Sequence, residues 1–276
     1  MYENPSILHV IVIYRAQLFT CKSWLSYLGR LPISEQIWVW DNSPIPQTID
    51  QSNIHYTHCP QNMGVSHPYN QASLWAKQHG FSFLVLMDQD SDFPTEAFEQ
   101  YQSAIGQLKQ NEIGCPVIYS GSVLISPFKI VKFKPTYWFE GPIKNIPLPS
   151  GYYSAINSGL LISTNIIEQA GGFDERLKLD WSDIELFMTL GRGFNLKMLP
   201  FTIQHQLSVH EKQTTAARLR RFPFYCHGAR IVSEKHGGFI RLGYMTFREG
   251  VKQTVFNFNL KFVWIWVKHF IFTKPI

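Results

Sequence analysis

Residues 81–94, FSFLVLMDQDSDFP, decide the fold. The run from Phe81 to Met87 is almost wholly apolar, and it stops at three carboxylates within five positions, Asp88, Asp90 and Asp92. An apolar run without alternation suits a strand covered on both faces, as in a parallel sheet flanked by helices. In open α/β sheets, ligands bind beyond the carboxyl ends of the strands, so these acids stand where chemistry is expected. Adjacent carboxylates repel each other unless a cation or hydrogen-bond donors compensate them. A hard divalent cation would relieve that repulsion and keep coordination positions for phosphate oxygens. A solvated turn, with Asp capping the helix after Pro94, accounts for the same residues without a ligand.

The flanking sequence continues the same grammar. ILHVIVIY at 7–14 predicts a buried strand, 17–29 a helix, and IWVWDNS at 37–43 a second strand ending in polar residues. A third strand is expected near Ile54–Thr57, then the turn QNMG at 61–64 and a helix over 67–79. A helix over 95–110 follows the acidic strand end, with Pro94 at its start. Six prolines between 115 and 150 (Pro116, Pro127, Pro135, Pro142, Pro147 and Pro149) read as a loop-rich or antiparallel insertion. SAINSGLLIS at 154–163 restores a strand, 164–170 begins a helix that Gly171–Gly172 ends, and 180–194 gives a helix opened by acids and closed by Gly193. LKMLPFTIQHQLSVH then reads as extended. The expected fold class is α/β, a mostly parallel sheet flanked by helices.

With 276 residues, 45% apolar and 15% aromatic, the chain can bury a large core, which excludes disorder, collagen-like repeats and small disulfide scaffolds. The net charge of +5 is compatible with a phosphorylated ligand or an anionic membrane and does not mark a nucleic-acid partner. Cys21, Cys59, Cys115 and Cys226 form no CxxC pair, so neither a zinc cluster nor a redox dithiol is signalled. The N-terminal stretch carries Glu3 and no basic region, which argues against a secretory signal and for a cytoplasmic protein. VFNFNLKFVWIWVKHFIF at 255–272 is apolar and aromatic, with Lys261 and Lys268 seven residues apart. It suits a peripheral element at the inner face of a membrane. A buried terminal helix and a homo-oligomer contact fit it equally. The expected organisation is a catalytic domain over 1–230 and a helical extension over 231–276.

Further candidates follow from position. Asp183 and Glu185 open the later helix beside Asp180, and their i, i+2 spacing sends them to different sides, one toward a cleft and one toward a structural contact. Attraction to the helix N-terminus explains the same acids without function. His205 and His210 lie in the extended piece near the expected active face and offer neutral nitrogen ligands. HExxH, GxSxG, GxGxxG and GxxxxGK motifs are all absent from the sequence, which argues against zincins, serine hydrolases, dinucleotide dehydrogenases and P-loop enzymes.

Taken in order, Tyr14 at the end of the first strand, Asp41-Asn42-Ser43, Asn62-Met63-Gly64-Val65-Ser66, Asp88-Gln89-Asp90-Ser91, Asn157-Ser158-Gly159, Gly172-Phe173-Asp174-Glu175 and Asp183-Ile184-Glu185 resemble a family 2 glycosyltransferase, nearest its bacterial rhamnosyltransferase-like branch, over residues 7 to 230. The resemblance implies the GT-A fold with a Rossmann-like nucleotide-binding sheet. It implies that Tyr14 and Asp41 form the nucleotide pocket, with Asp41 receiving the base, and that Asn62 and Gly64 line its ribose side. Asp90 would bridge Mg2+ or Mn2+, Asp88 would contact the ribose or the metal, and His205 would reach the metal or the diphosphate. Asp183 would be the base of an inverting transfer from a nucleoside diphosphate sugar, dTDP-rhamnose first and a UDP-hexose next, to a glycan or lipid-linked glycan acceptor. An Asp of ordinary pKa is a weak base, so its role would need water excluded around it. Arg15 and Thr189 depart from the family pattern, Thr189 standing where an arginine often supplies positive charge. A nucleotidyltransferase would place a basic glycine-rich loop after the first strand, where this chain has Tyr14-Arg15-Ala16-Gln17. A non-catalytic carbohydrate-binding protein would use Trp138, Trp181, Tyr152 and Tyr153 to stack on sugars.

Overall fold

The structure, a computed structural model, describes residues 6–131, 134–136, 148–150, 152–205 and 214–273. Trp138 and His210 lie outside the described residues. The first half alternates strands and helices: β1 (Ile7–Ile13), α1 (Lys22–Ser26), β2 (Gln36–Asp41), β3 (Ile54–His58), α2 (Ser66–Gln78), β4 (Phe83–Asp88), β5 (Ser91–Asp92) and α3 (Ala97–Ile105). Next come β6 (Glu112–Ser120), β7 (Val123–Ser126), β8 (Phe128–Val131), β9 (Lys134–Thr136), β10 (Leu148–Pro149), β11 (Tyr153–Ser154) and β12 (Leu161–Ser163). The chain then runs through α4 (Thr164–Gln169), α5 (Ser182–Leu190), β13 (Asn195–His205), α6 (Thr215–His236), α7 (Phe239–Asn257) and α8 (Lys261–Trp266).

The main sheet has the order β10-β13-β6-β12-β4-β1-β2-β3. β3, β2, β1 and β4 pair in parallel, and β12 enters antiparallel between β4 and β6, so β6 and its parallel neighbour β13 run with the first four. The period of two along β1 explains the two-sided core: Ile7, Ile11 and Ile13 join one cluster, while Leu8, Val10 and Val12 join the other. Tyr27, Ala97 and Tyr101 cover the first face, and Tyr69, Ala72, Ile166 and Phe187 the second. The order 3-2-1-4 reverses direction between β1 and β4, which opens a crevice at their carboxyl ends.

Several expected boundaries shift for local reasons. The helix expected over 17–29 is reduced to α1 between two 3-10 turns. The Ser23 hydroxyl donates to the carbonyls of Asp88 and Ser91, tying this segment under the acidic loop instead of letting it extend. β2 stops at Asp41, whose carboxylate accepts the Ser43 N–H at 2.8 Å and so turns the chain. The strand expected over 154–163 is interrupted at a turn through Gly159, whose φ is +84°. A Cβ there would come within 2.6 Å of Ile203 and 2.8 Å of Pro116. The last strong helix before β13 ends at Leu190, with Gly191 rather than Gly193 after it.

The boundary expected between 230 and 231 falls inside α6. The chain turns instead at Gly237–Gly238, both with positive φ, and α6, α7 and α8 share one core with Leu177, Trp181 and Ile184 of the sheet domain. The segment 255–272 is likewise not one helix. It holds the end of α7, a break at Phe258 with φ +49°, and α8, and it buries Phe262 and Phe270. Local hydropathy could not separate this half-buried arrangement from a membrane element, because both need long apolar runs.

Gly64 is held by a close crossing of two loops. Its φ is +78°, and a Cβ would stand 2.1 Å from the Lys178 carbonyl oxygen. The Val65 N–H donates to that same carbonyl at 2.9 Å. Gly64→Ala therefore combines backbone strain with a backbone clash and is expected to destabilise the fold by more than about 2 kcal/mol, read as a lowered midpoint of thermal denaturation. An unchanged midpoint would mean that the crossing is looser than the structure shows.

Candidate active site

The crevice between β1 and β4 gathers the acids. Asp88 ends β4, and the two-residue β5 folds back so that Ser91 and Asp92 pair antiparallel with His205 and Gln204 at the end of β13. That pairing brings a side chain from 114 residues away to the loop. Asp88, Asp90 and His205 each present one ligand atom, and these atoms all lie within 4.8 Å of one another. His205 Nδ1 is 2.7 Å from the Ser91 hydroxyl and 3.5 Å from Asp90 Oδ1. The Ser91 hydroxyl is also 2.7 Å from the Ser158 hydroxyl, which accepts the Asp88 N–H at 3.1 Å. The Asn157-Ser158-Gly159 segment thus braces the acidic loop from behind. Burial, then Asp90, raises the Asp88 pKa, while His205 lowers it. Two carboxylates and an imidazole crowded this closely fit a divalent cation, and Mg2+ or Mn2+ suits their mixed oxygen and nitrogen donors.

Asp183 opens α5 nearby. Its Oδ1 accepts the Ile184 N–H at 2.8 Å. Burial pushes its pKa up to about 7, and the negative charges of Asp180 and Asp88 add to the shift. Asp183 is half-buried with like charges beside it, the kind of surroundings its expected role as a base would need. Glu185 turns the other way, as the i, i+2 spacing requires. It is buried, and Thr189, Lys235 and His236 lie 2.6, 2.5 and 3.2 Å from its Oε1. Despite burial, His236, Lys235 and Thr189 hold its carboxyl below the usual range, which makes it a tie between α5 and α6.

Tyr14, Asp41, Asn62 and Gly64 stand at or beyond the carboxyl ends of β1, β2 and β3. A cleft of about 340 Å³ is lined by Arg15, Ala16 and Gln17 after β1 and by Ser43, Pro44, Ile45 and Gln47 after β2. Tyr14 is partly exposed, its N–H donates to Gln89 Oε1 at 2.8 Å, and the Arg15 guanidinium lies 5.2 Å from its ring centre. Asp41 is fully buried, and its Oδ2 accepts the Gln47 amide at 3.0 Å and the Tyr56 hydroxyl at 2.8 Å. The carboxylate expected to receive a base is closed to solvent here and is bonded to the 43–47 loop. Asn62, with φ +51°, and the buried Gly64 form a tight turn whose Gly64 carbonyl accepts the Asn42 amide at 2.8 Å. Its role in this arrangement is to fix the loop after β3.

Solved structures show the same architecture. The chain aligns with GalNAc-T7, crystallised with UDP, GalNAc and Mn2+, at a TM-score of 0.57 and 12% identity, over 99% of this chain and 59% of that one. It aligns with the mannosyltransferase PcManGT from Pyrobaculum calidifontis, in complex with GDP-Man and Mn2+, at 0.55 and 9% identity, over 99% and 88% of the two chains. A third similar structure is S. aureus TarS 1–349 in complex with UDP-GlcNAc, at 0.50 and 12% identity, over 95% and 79%. The chain has the GT-A glycosyltransferase fold. The chain spans 59% of the GalNAc-T7 chain, so the likeness covers only part of that protein. No protein-family model and no curated protein matches the chain.

Within this GT-A fold, sequence reasoning missed Arg221. It projects from α6 and its guanidinium lies 2.8 Å from Asp180 Oδ1. Burial opposes its charge, yet Asp180, Asp90 and Asp88 together raise its pKa. A positive charge thus reaches the acidic site from α6. The only sequence signal was the basic run Arg218, Arg220, Arg221, which does not say which residue turns inward. Trp181 is a further correction. It is buried, with φ +76°, its indole N–H donates to the Tyr225 carbonyl at 3.0 Å, and it has no face left for stacking on a sugar. Tyr152 remains partly exposed, 4.4 Å from the Arg192 guanidinium.

Proposed function

We propose that the protein is a metal-dependent, inverting glycosyltransferase that moves a sugar from a pyrimidine nucleoside diphosphate to a glycan or lipid-linked glycan acceptor. One observation carries the reading: a carboxylate–carboxylate–imidazole cluster at the end of β4 in a GT-A fold, with Asp183 near enough for the Asp88 charge to act on it. The fold alone would not suffice, since one fold hosts many activities. Asp90, Asp88 and His205 would hold the cation, which neutralises charge on the leaving diphosphate. Asp183 takes the proton of the acceptor hydroxyl as its oxygen bonds to the anomeric carbon and the bond from that carbon to the diphosphate breaks. Arg221 keeps a positive charge beside the acids and limits their repulsion before the donor arrives. The 340 Å³ cleft takes the nucleoside, with Asp41 holding the 43–47 loop that lines it and Tyr14 at its edge.

The donors of choice are dTDP-rhamnose, from the sequence resemblance, and a UDP-hexose, a choice supported by the UDP-containing complexes of the similar proteins. Calorimetric titration with dTDP, UDP and GDP, each with Mn2+ and with chelator, tests the proposal. Binding of one pyrimidine diphosphate that disappears with chelator is expected. Folded protein that binds none of the three would overturn the donor assignment.

A further inference from the structure

α7 carries an apolar row on its outer side. Ile240, Tyr244, Phe247, Val251 and Val255 recur every three or four residues, which places them on one face of the helix. All five are exposed, Ile240 at 86%, and the row continues around the corner through Phe258 at 97% and Leu260 at 79% to Trp264 on α8. The core-facing side of α7 is a different one, made by Leu242, Gly243, Thr246 and Gly250. Scattered exposed apolar residues are ordinary on any surface, whereas a continuous row of eight marks an interaction face.

The charges around the row identify its occupant. Arg241, Arg248 and Lys252 follow one flank of α7, Lys261 opens α8, and all four are exposed. From Phe239 to Phe272 the sequence has five Lys or Arg and a single acid, Glu249, whose carboxylate is 3.6 Å from Lys252. We propose that this face docks the protein on an anionic lipid bilayer, with α7 and α8 lying along its surface. Cations flanking an apolar row match anionic headgroups over acyl chains, and the indole of Trp264 suits the boundary between them. Among the described residues no helix is long and apolar enough to cross a membrane. A second copy of the chain fits less well, because a two-fold interface presents the same patch from both sides and would set the cationic flanks against each other. The inference stands apart from the transfer reaction, since none of these residues belongs to the crevice.

Sedimentation of the full chain with vesicles tests it. Phosphatidylcholine vesicles, alone or mixed with phosphatidylglycerol, are compared. One variant combines Ile240→Ser, Val255→Ser and Leu260→Ser, and a second combines Arg248→Glu and Lys252→Glu. These exposed positions replace deletion of the segment, which would remove the buried Phe262 and Phe270. Wild-type protein is expected on the phosphatidylglycerol vesicles, with each variant bound at least about tenfold more weakly and circular dichroism unchanged. Folded variants that bind like wild type, or wild-type protein that ignores both vesicles, would overturn the proposal. A concentration-dependent dimer that the serine variant turns into a monomer, without vesicle binding, would assign the row to a second copy and overturn it as well.

Discussion

Asp183→Asn is expected to lower the turnover number by roughly 10²–10⁴-fold while leaving nucleotide affinity close to wild type. Asn has nearly the same shape and still accepts a hydrogen bond from the Ile184 N–H, but it cannot take a proton. Burial and the neighbouring acids push the carboxyl's pKa up to about 7 in the metal-free protein, and a bound cation would draw it down, so turnover with metal should rise with pH from the acid side and level off at or below that value. Stability supplies a second readout with the opposite sense. The folded pKa lies above the ordinary carboxylate value, so this group favours the folded state at acid pH and that contribution is lost as pH rises through about 7. Measured with chelator, Asp183→Asn should match wild type near pH 4 and exceed it at pH 8, by up to about 4 kcal/mol. Unchanged turnover would remove Asp183 as the base. A folded variant that loses nucleotide binding as well would show that Asp183 shapes the donor site instead.

Asp90→Ala is expected to remove most of the metal-dependent part of nucleotide binding, a loss of at least about 10–100-fold in metal affinity. The physical reason is the donor count: with Asp90 gone, Asp88 and His205 are left as two ligands of different type from two different strands. Asp88 also loses the neighbouring charge that raises its pKa, so the demand for a cation falls with the supply of ligands. His205 is a poorer first variant, because its contact with the Ser91 hydroxyl also holds the loop. Nucleotide binding by Asp90→Ala with undiminished Mn2+ dependence would place the metal elsewhere.

Much of the frame was legible because its signals are local. The apolar run ending at Asp88 marks a buried strand and its carboxyl end, and a strand of that type requires covering helices on both faces. The βαβ alternation, the antiparallel pieces after residue 115 and the helix opening at Asp183 follow from patterns only a few residues long. The i, i+2 spacing of Asp183 and Glu185 likewise predicted their divergence, since helical geometry leaves little choice.

What the sequence did not show concerns environment. Trp181 has the composition of a sugar-stacking residue and the burial of a core residue, a difference set by Tyr225, which lies 44 positions away. The partners of Asp41 were likewise invisible in the sequence, where nothing marks Gln47 and Tyr56 as donors to its carboxylate. The apolar stretch after residue 255 looks like one element but divides between a buried inner side and an exposed outer one, because a left-handed turn at Phe258 breaks it.

By itself the sequence determined the parallel strands β1, β2 and β4, the helix α2 and the position of the acids at a strand end, since these depend on periodicity and on charge at neighbouring positions. Only the tertiary structure decided which distant groups meet there. The antiparallel pairing of β5 with β13 brings His205 to Asp90, α6 brings Arg221 to Asp180, and burial with two neighbouring acids turns Asp183 from an ordinary carboxylate into a group titrating near neutrality. Solvation and Coulomb energy depend on distance in space, and separations of tens to more than a hundred residues along the chain do not encode that distance.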